Sequence, residues 1–101
     1  MSYFLIAPRF PSGRLLVSDR IAALRIPIDP LIRRHLSGDW GEEICPEDAA
    51  ANDAALLHGE AILSHYPAFT ASGERVVVSI FTEADCSVTV VFIQGEDCCG
   101  S

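Results

Sequence analysis

The chain is 101 residues long, half of them apolar, with 7 basic side chains against 14 carboxylates and a net charge of -7. That length fits one domain of two packed layers and excludes a dinucleotide-binding fold with a second domain or a barrel of eight strand–helix units. No apolar run approaches the roughly 18 residues of a spanning helix, and the run at residues 3–7 is too short, with no basic flank, for a signal peptide, so a cytoplasmic protein without membrane attachment is expected.

Residues 3–7 (YFLIA), ended by Pro8, and residues 15–17, which follow a Pro11-Ser12-Gly13 turn, read as short edge strands. Ser18 and Asp19 predict the N-cap of a helix carrying Ile21, Ala22 and Leu24 and stopping near Pro27. Asp29-Pro30 repeats the start signal, with Leu31, Ile32 and Leu36 facing inward, Arg33 and Arg34 outward, and Gly38 as the stop. Gly38-Asp39-Trp40-Gly41 is a loop whose glycines let the only indole fold back over the helix ends. Pro46 opens a third helix that Gly59 terminates, and Ala50, Ala54 and Leu57 make a narrow apolar stripe on it. From residue 61 the pattern turns to strands at 62–66, 75–82 and 87–93, separated by an Ala71-Ser72-Gly73 turn and a tight turn at residues 84–86. The middle strand is apolar on both sides, so helices must cover one face of the sheet and the N-terminal strand or a partner the other. The fold class predicted is α+β: two or three short helices on a small antiparallel sheet of three to four strands, with residues 1–95 as one domain and 96–101 as a flexible tail.

Charge is segregated. Residues 1–37 hold six arginines against two carboxylates, +4, whereas residues 38–101 hold one arginine against twelve carboxylates, −11, and lysine is absent throughout. An acidic surface of that density repels phosphate and anionic lipid, which disfavours direct nucleic-acid binding and points to a basic protein surface as partner. Cys45, Cys86, Cys98 and Cys99 are expected as free thiols: the apolar content suffices for a core, and an adjacent Cys pair cannot wrap a tetrahedral zinc.

Signals for chemistry are few. His35 and His58 fall at helix C-termini, where the dipole favours imidazole, and His65 lies in the first strand of the meander. Convergence of His35, His58 or His65 with Asp39, Asp48 or Cys45 would make a metal site, but no ligand spacing points to one, and no cofactor is expected. A pocket around Trp40, His35 and Asp39 is the alternative that would make the chain a small ligand-binding domain or enzyme. No nucleophile elbow, reactive-cysteine signature or phosphate-cradling glycine loop is present. Glu83 and Asp85 sit together at a hairpin, as an acid/base pair or a charged lip for a partner's arginine, the structural alternative being that Asp85 and Thr82 satisfy backbone amides in a tight turn. Asp48 and Asn52, one helical turn apart, are positioned to hydrogen-bond the Trp40 loop.

Taken in order, HLSGDWG at residues 35–41, EDAAANDAALLHG at 47–59, ILSHY at 62–66 and TEADCSVTV at 82–90 resemble a family of small proteins encoded by bacterial plasmids, prophages and neighbouring mobile regions. Members are labelled plasmid-related, or loosely restriction-associated, and have no named activity. The resemblance covers residues 28–93 and marks His35, Asp39, Trp40, Asp48, Asn52, Thr82, Glu83 and Asp85 as family-matching positions. The chain departs from it at Cys86, where an arginine is usual, and at Cys98-Cys99, and residues 3–11 are its own. Without that arginine, Glu83 and Asp85 lack their counter-charge.

Together these readings predict a non-enzymatic interaction protein, an acidic inhibitor of a host nucleic-acid-handling defence complex of the anti-CRISPR or anti-restriction type. Asp39, Trp40, Glu42, Glu43, Asp48, Asn52, Glu83 and Asp85 would form the partner-binding surface. A structural homodimer, joined through the doubly apolar strand or an edge strand, is the further alternative.

Overall fold

The computed structural model describes residues 10–42 and 44–95; the strand expected at residues 3–7, Glu43 and the tail with Cys98 and Cys99 lie outside the described residues. Four strands, β1 (Arg14–Val17), β2 (Ile62–Phe69), β3 (Arg75–Thr82) and β4 (Val88–Ile93), form one sheet in the order β1-β4-β3-β2. The α+β class stands as expected, and the last three strands are the antiparallel meander. The sheet is mixed, however: β1 joins β4 in parallel, which requires the long crossover that the intervening helices and strands supply. Strand β2 also runs on past the predicted residue 66 through Pro67 to Phe69.

Three helices precede the meander: α1 (Asp19–Leu24), α2 (Asp29–Leu36) and α3 (Pro46–His58). Ser18, extended at φ -65 and ψ 150, caps α1 by accepting a hydrogen bond from the Ile21 amide, and Arg25 ends the helix in the left-handed region. Helix α2 corrects its expected cap. Ile28 occupies that position without a side-chain bond, and Asp29 lies one residue inside, where its carboxylate still favours the positive end of the dipole. Gly59 closes α3 at φ 70, as predicted.

The stripe expected on α3 is wrong. Ala50 and Ala54 are exposed and Leu57 is 83% exposed, whereas Asn52 and Ala55 are buried and Ala49 and Leu56 half-buried. An alanine-rich helix has weak amphipathic preference, so a polar anchor, Asn52, sets the face it turns inward.

The main core lies on one face of the sheet, where Ile21, Leu24, Ile26, Leu31 and Ile32 pack on Tyr66, Val78, Ile80, Val91 and Ile93. A second cluster joins Phe10, Trp40, Ala55 and Ile62, with Leu36 and Leu56 against it. Gly13 brings the chain from that cluster to β1. Its φ is +62, and a Cβ would stand 2.2 Å from the Cys86 carbonyl oxygen, so only glycine lets this segment lie on the β3–β4 hairpin tip.

Candidate functional site

Between the two clusters runs a buried chain of polar groups. His35 has no solvent exposure; Nδ1 meets Ser64 Oγ at 2.5 Å and Nε2 meets Thr82 Oγ1 at 2.8 Å. Thr82 Oγ1 is 2.8 Å from Thr89 Oγ1, which donates to the Ser12 carbonyl at 2.7 Å. That last donation uses the only proton of Thr89, so Thr82 donates to Thr89, His35 donates from Nε2 to Thr82, and Ser64 donates to Nδ1. One tautomer satisfies every member. Burial lowers the pKa of His35 to about 4, so the ring is neutral at pH 7. Phe10 and Trp40 meet it edge-on at ring distances of 5.3 and 6.0 Å. This role was not legible at the end of a helix, where the dipole alone accounts for a histidine.

The Trp40 loop is stitched to the outer edge of β2. Trp40 is buried, folded back as its flanking glycines allow but not presented to a partner as expected, and its indole N–H donates to Asp53 at 2.9 Å. Asp53 thus takes the part foreseen for Asp48 and Asn52. Asn52 instead reaches the edge strand: Nδ2 donates to the Leu63 carbonyl at 2.7 Å and Oδ1 accepts from the Leu63 amide at 3.3 Å, imitating a neighbouring strand. One step on, the His65 amide donates to the Trp40 carbonyl at 3.3 Å. Gly41, at φ +92, lies so close that a Cβ would fall 2.0 Å from the His65 carbonyl oxygen. The next residue whose backbone points outward, Pro67, has no N–H to offer. Asp39 and Glu42 both accept from Arg34, at 2.7 and 2.5 Å, and the guanidinium lies over the Tyr66 ring at 4.9 Å. These bonds hold both carboxyls below their usual range.

The face of the sheet turned away from α1 and α2 is apolar. Register places Leu63, Phe81, Val90 and Leu16 in one row across all four strands, with His65, Ser79 and Phe92 in the next and Pro67 and Val77 in a third. Leu16 is 42%, Leu63 36% and Phe69 62% exposed, and Phe81, Val90 and Phe92 are half-buried. None of these belongs to either core cluster. A groove of about 190 Å³ runs between α3 and this face, lined by Ile44, Asp48, Asn52, Leu63, His65 and Phe81 among others. That is smaller than an ordinary ligand pocket. In it His65 Nδ1 is 2.8 Å from Ser79 Oγ; burial lowers the pKa of His65 and Asp48 opposes the shift. Ser79 is fully buried, so its hydroxyl steadies the ring.

Carboxylates border this face. Glu83 and Asp85 are exposed at the hairpin after β3 and Glu60 precedes β2, all at one end, and Asp48, on the exposed first turn of α3, lies along the β2 side near His65. The Asp85 carboxyl is held below its usual range by Ser87, whose amide donates to it at 3.0 Å.

The expected surface is thereby divided. Asp48, Glu83 and Asp85 face solvent, Asp39 and Glu42 share Arg34, and Trp40 and Asn52 are buried with internal partners; Glu43 is outside the described residues. His35, Trp40 and Asp39 do not line a common cavity, since His35 is sealed in the core and Asp39 turns out to Arg34. Among the described residues no group of three His, Cys, Asp or Glu side chains is placed to hold a metal, and no helix is long and apolar enough to cross a membrane. Cys45 and Cys86 are free thiols. Sequence reasoning missed Glu60 and the row through Leu16, Leu63, Phe81 and Val90; the two-sided apolarity of residues 76–81 was the available signal for the latter. Comparison of the chain with protein-family models, with curated proteins and with solved structures finds no match to any of them.

Proposed function

We infer that this chain is a non-enzymatic binding protein of mobile-element type that inhibits a host nucleic-acid-handling defence complex by covering a basic surface of it. The observation that carries this reading is an exposed apolar sheet face bordered by Glu60, Glu83 and Asp85 at one end and by Asp48 along its β2 side. An apolar centre with a charged rim is the usual anatomy of a protein–protein interface. Carboxylates on that rim pair with arginines that otherwise hold phosphates, so the inhibition is steric and electrostatic. The ordered GDWG and TEADCS motifs, which resemble plasmid- and prophage-encoded proteins, support the same origin.

The test is capture from a bacterial host lysate at about 0.05 M and about 0.5 M salt, across which exposed charge pairs become screened. A nucleic-acid-binding protein should be retained at low salt and lost at high salt, and the purified chain should displace its nucleic acid. The Glu83→Lys/Asp85→Lys variant, whose circular dichroism should match the parent, should lose both effects. No captured partner, or capture that ignores salt and both substitutions, refutes the reading.

A further inference from the structure

The two edges of the sheet are treated differently. Along β2 the outward backbone positions up to Pro67 are blocked, Leu63 by the Asn52 carboxamide, His65 by the Trp40–Gly41 backbone, and Pro67 by its own ring, and only the terminal Phe69 is left. Along β1 no such device is found among the described residues. The Arg14 and Ser18 amides donate to the Ser87 and Val91 carbonyls of β4, which fixes the alternation and turns the N–H and C=O of Leu15 and Val17 outward. No described residue pairs with them, and Leu15, Leu16 and Val17 are 43, 42 and 39% exposed. A short open edge of branched apolar residues is a template for another strand.

We propose that a second copy of this chain pairs antiparallel with β1 through a two-fold axis at Leu16, forming a continuous eight-stranded sheet. The register follows from the alternation. Only pairing centred on Leu16 sets Leu15 opposite Val17 of the second copy and Val17 opposite its Leu15, so that both outward residues of each strand exchange both backbone hydrogen bonds. Leu16 then meets Leu16 of the second copy at the closely spaced pair on the axis. Because Leu16 ends the apolar row, the two rows join into one running Leu63, Phe81, Val90, Leu16 and onward in reverse through the second copy. Charges agree with this register: Arg14 falls opposite Ser18 of the second copy, beside its Asp19, and neither Arg14 nor Asp19 has an ion-pair partner among the described residues. The contact is small, so the dimer belongs to the weak, concentration-dependent class.

Sedimentation equilibrium of the purified full chain from about 5 µM to about 500 µM reads it directly, without any other protein, so its outcome is independent of the lysate capture. The mean mass should rise from 10.9 kDa toward twice that value. Leu16→Glu places two carboxylates on the axis, and Val17→Pro removes an N–H that bonds to no described residue of the protomer; each should weaken association at least about tenfold with circular dichroism unchanged. Leu63→Glu, at the far end of the same row, should leave it intact. A monomer across the whole range, or association that survives both Leu16→Glu and Val17→Pro, overturns the proposal. Equal loss with Leu63→Glu also overturns it, since the sheet face rather than the β1 edge would then be the contact.

Discussion

His35 has both ring nitrogens engaged by core hydroxyls, and burial brings its pKa down from 6.5 to about 4. The unfolded chain therefore takes up a proton between those values that the folded chain refuses, so stability is full above pH 6.5 and falls as pH drops toward 4. The shift corresponds to a loss of about 3 kcal/mol across that window. His35→Leu should act the other way round. It strands the Ser64 and Thr82 hydroxyls and costs about 2 to 3 kcal/mol at pH 7, yet its stability should decline less between pH 6.5 and 4. Urea unfolding of both proteins at several pH values checks this, and parallel pH profiles would show that His35 does not carry the effect. The sequence offered a histidine at a helix end and a Thr-rich hairpin, but only the register that sets Thr82 opposite Thr89 brings them under one ring.

Helix α3 is held to the sheet by a side chain that behaves as a strand. Asn52 supplies one donor and one acceptor to Leu63, the pattern a β neighbour would offer, and so sets which side of an otherwise featureless alanine helix turns inward. Asn52→Ala should cost about 1 to 3 kcal/mol and speed amide exchange at Leu63, because both of its backbone groups lose their partner. Asn52→Asp keeps the acceptor but sets a carboxylate against the Leu63 carbonyl, so it should be no better than alanine. Denaturation with amide exchange by NMR reads both changes, and an unprotected Leu63 in the parent protein would contradict the arrangement. Helix boundaries at Ser18, Gly38 and Gly59 were legible because capping is chemistry of the chain's own neighbours. The face of α3 was not, because it answers to a strand eleven residues away.

At the scale of the molecule, acidity and the open sheet face oppose each other. The net charge of -7 keeps copies apart at neutral pH, and near the isoelectric point of about 4.7 that repulsion vanishes while Leu16, Leu63 and Phe69 stay exposed. Light scattering should therefore rise steeply as pH approaches that value. The Leu63→Ser/Phe69→Ser variant, which leaves charge unchanged, should tolerate a several-fold higher concentration before it scatters. Equal onset for both proteins would mean that the apolar face does not drive association. The segregation of charge along the chain was visible at once, but its placement was not: Arg34 neutralises Asp39 and Glu42 within the molecule, leaving Asp48, Glu60, Glu83 and Asp85 as the acidic border.

The sequence by itself determined the α+β class, the three helices and the antiparallel meander, because caps, turns and alternation act over a few residues. Tertiary structure alone decided that β1 joins in parallel, that Asn52 caps the β2 edge at Leu63 while no described residue pairs with the outer edge of β1, and that His35 belongs to the core. Each of these depends on register and crossover between segments far apart in the chain, and no local pattern encodes which backbone groups remain unpaired once the sheet has formed.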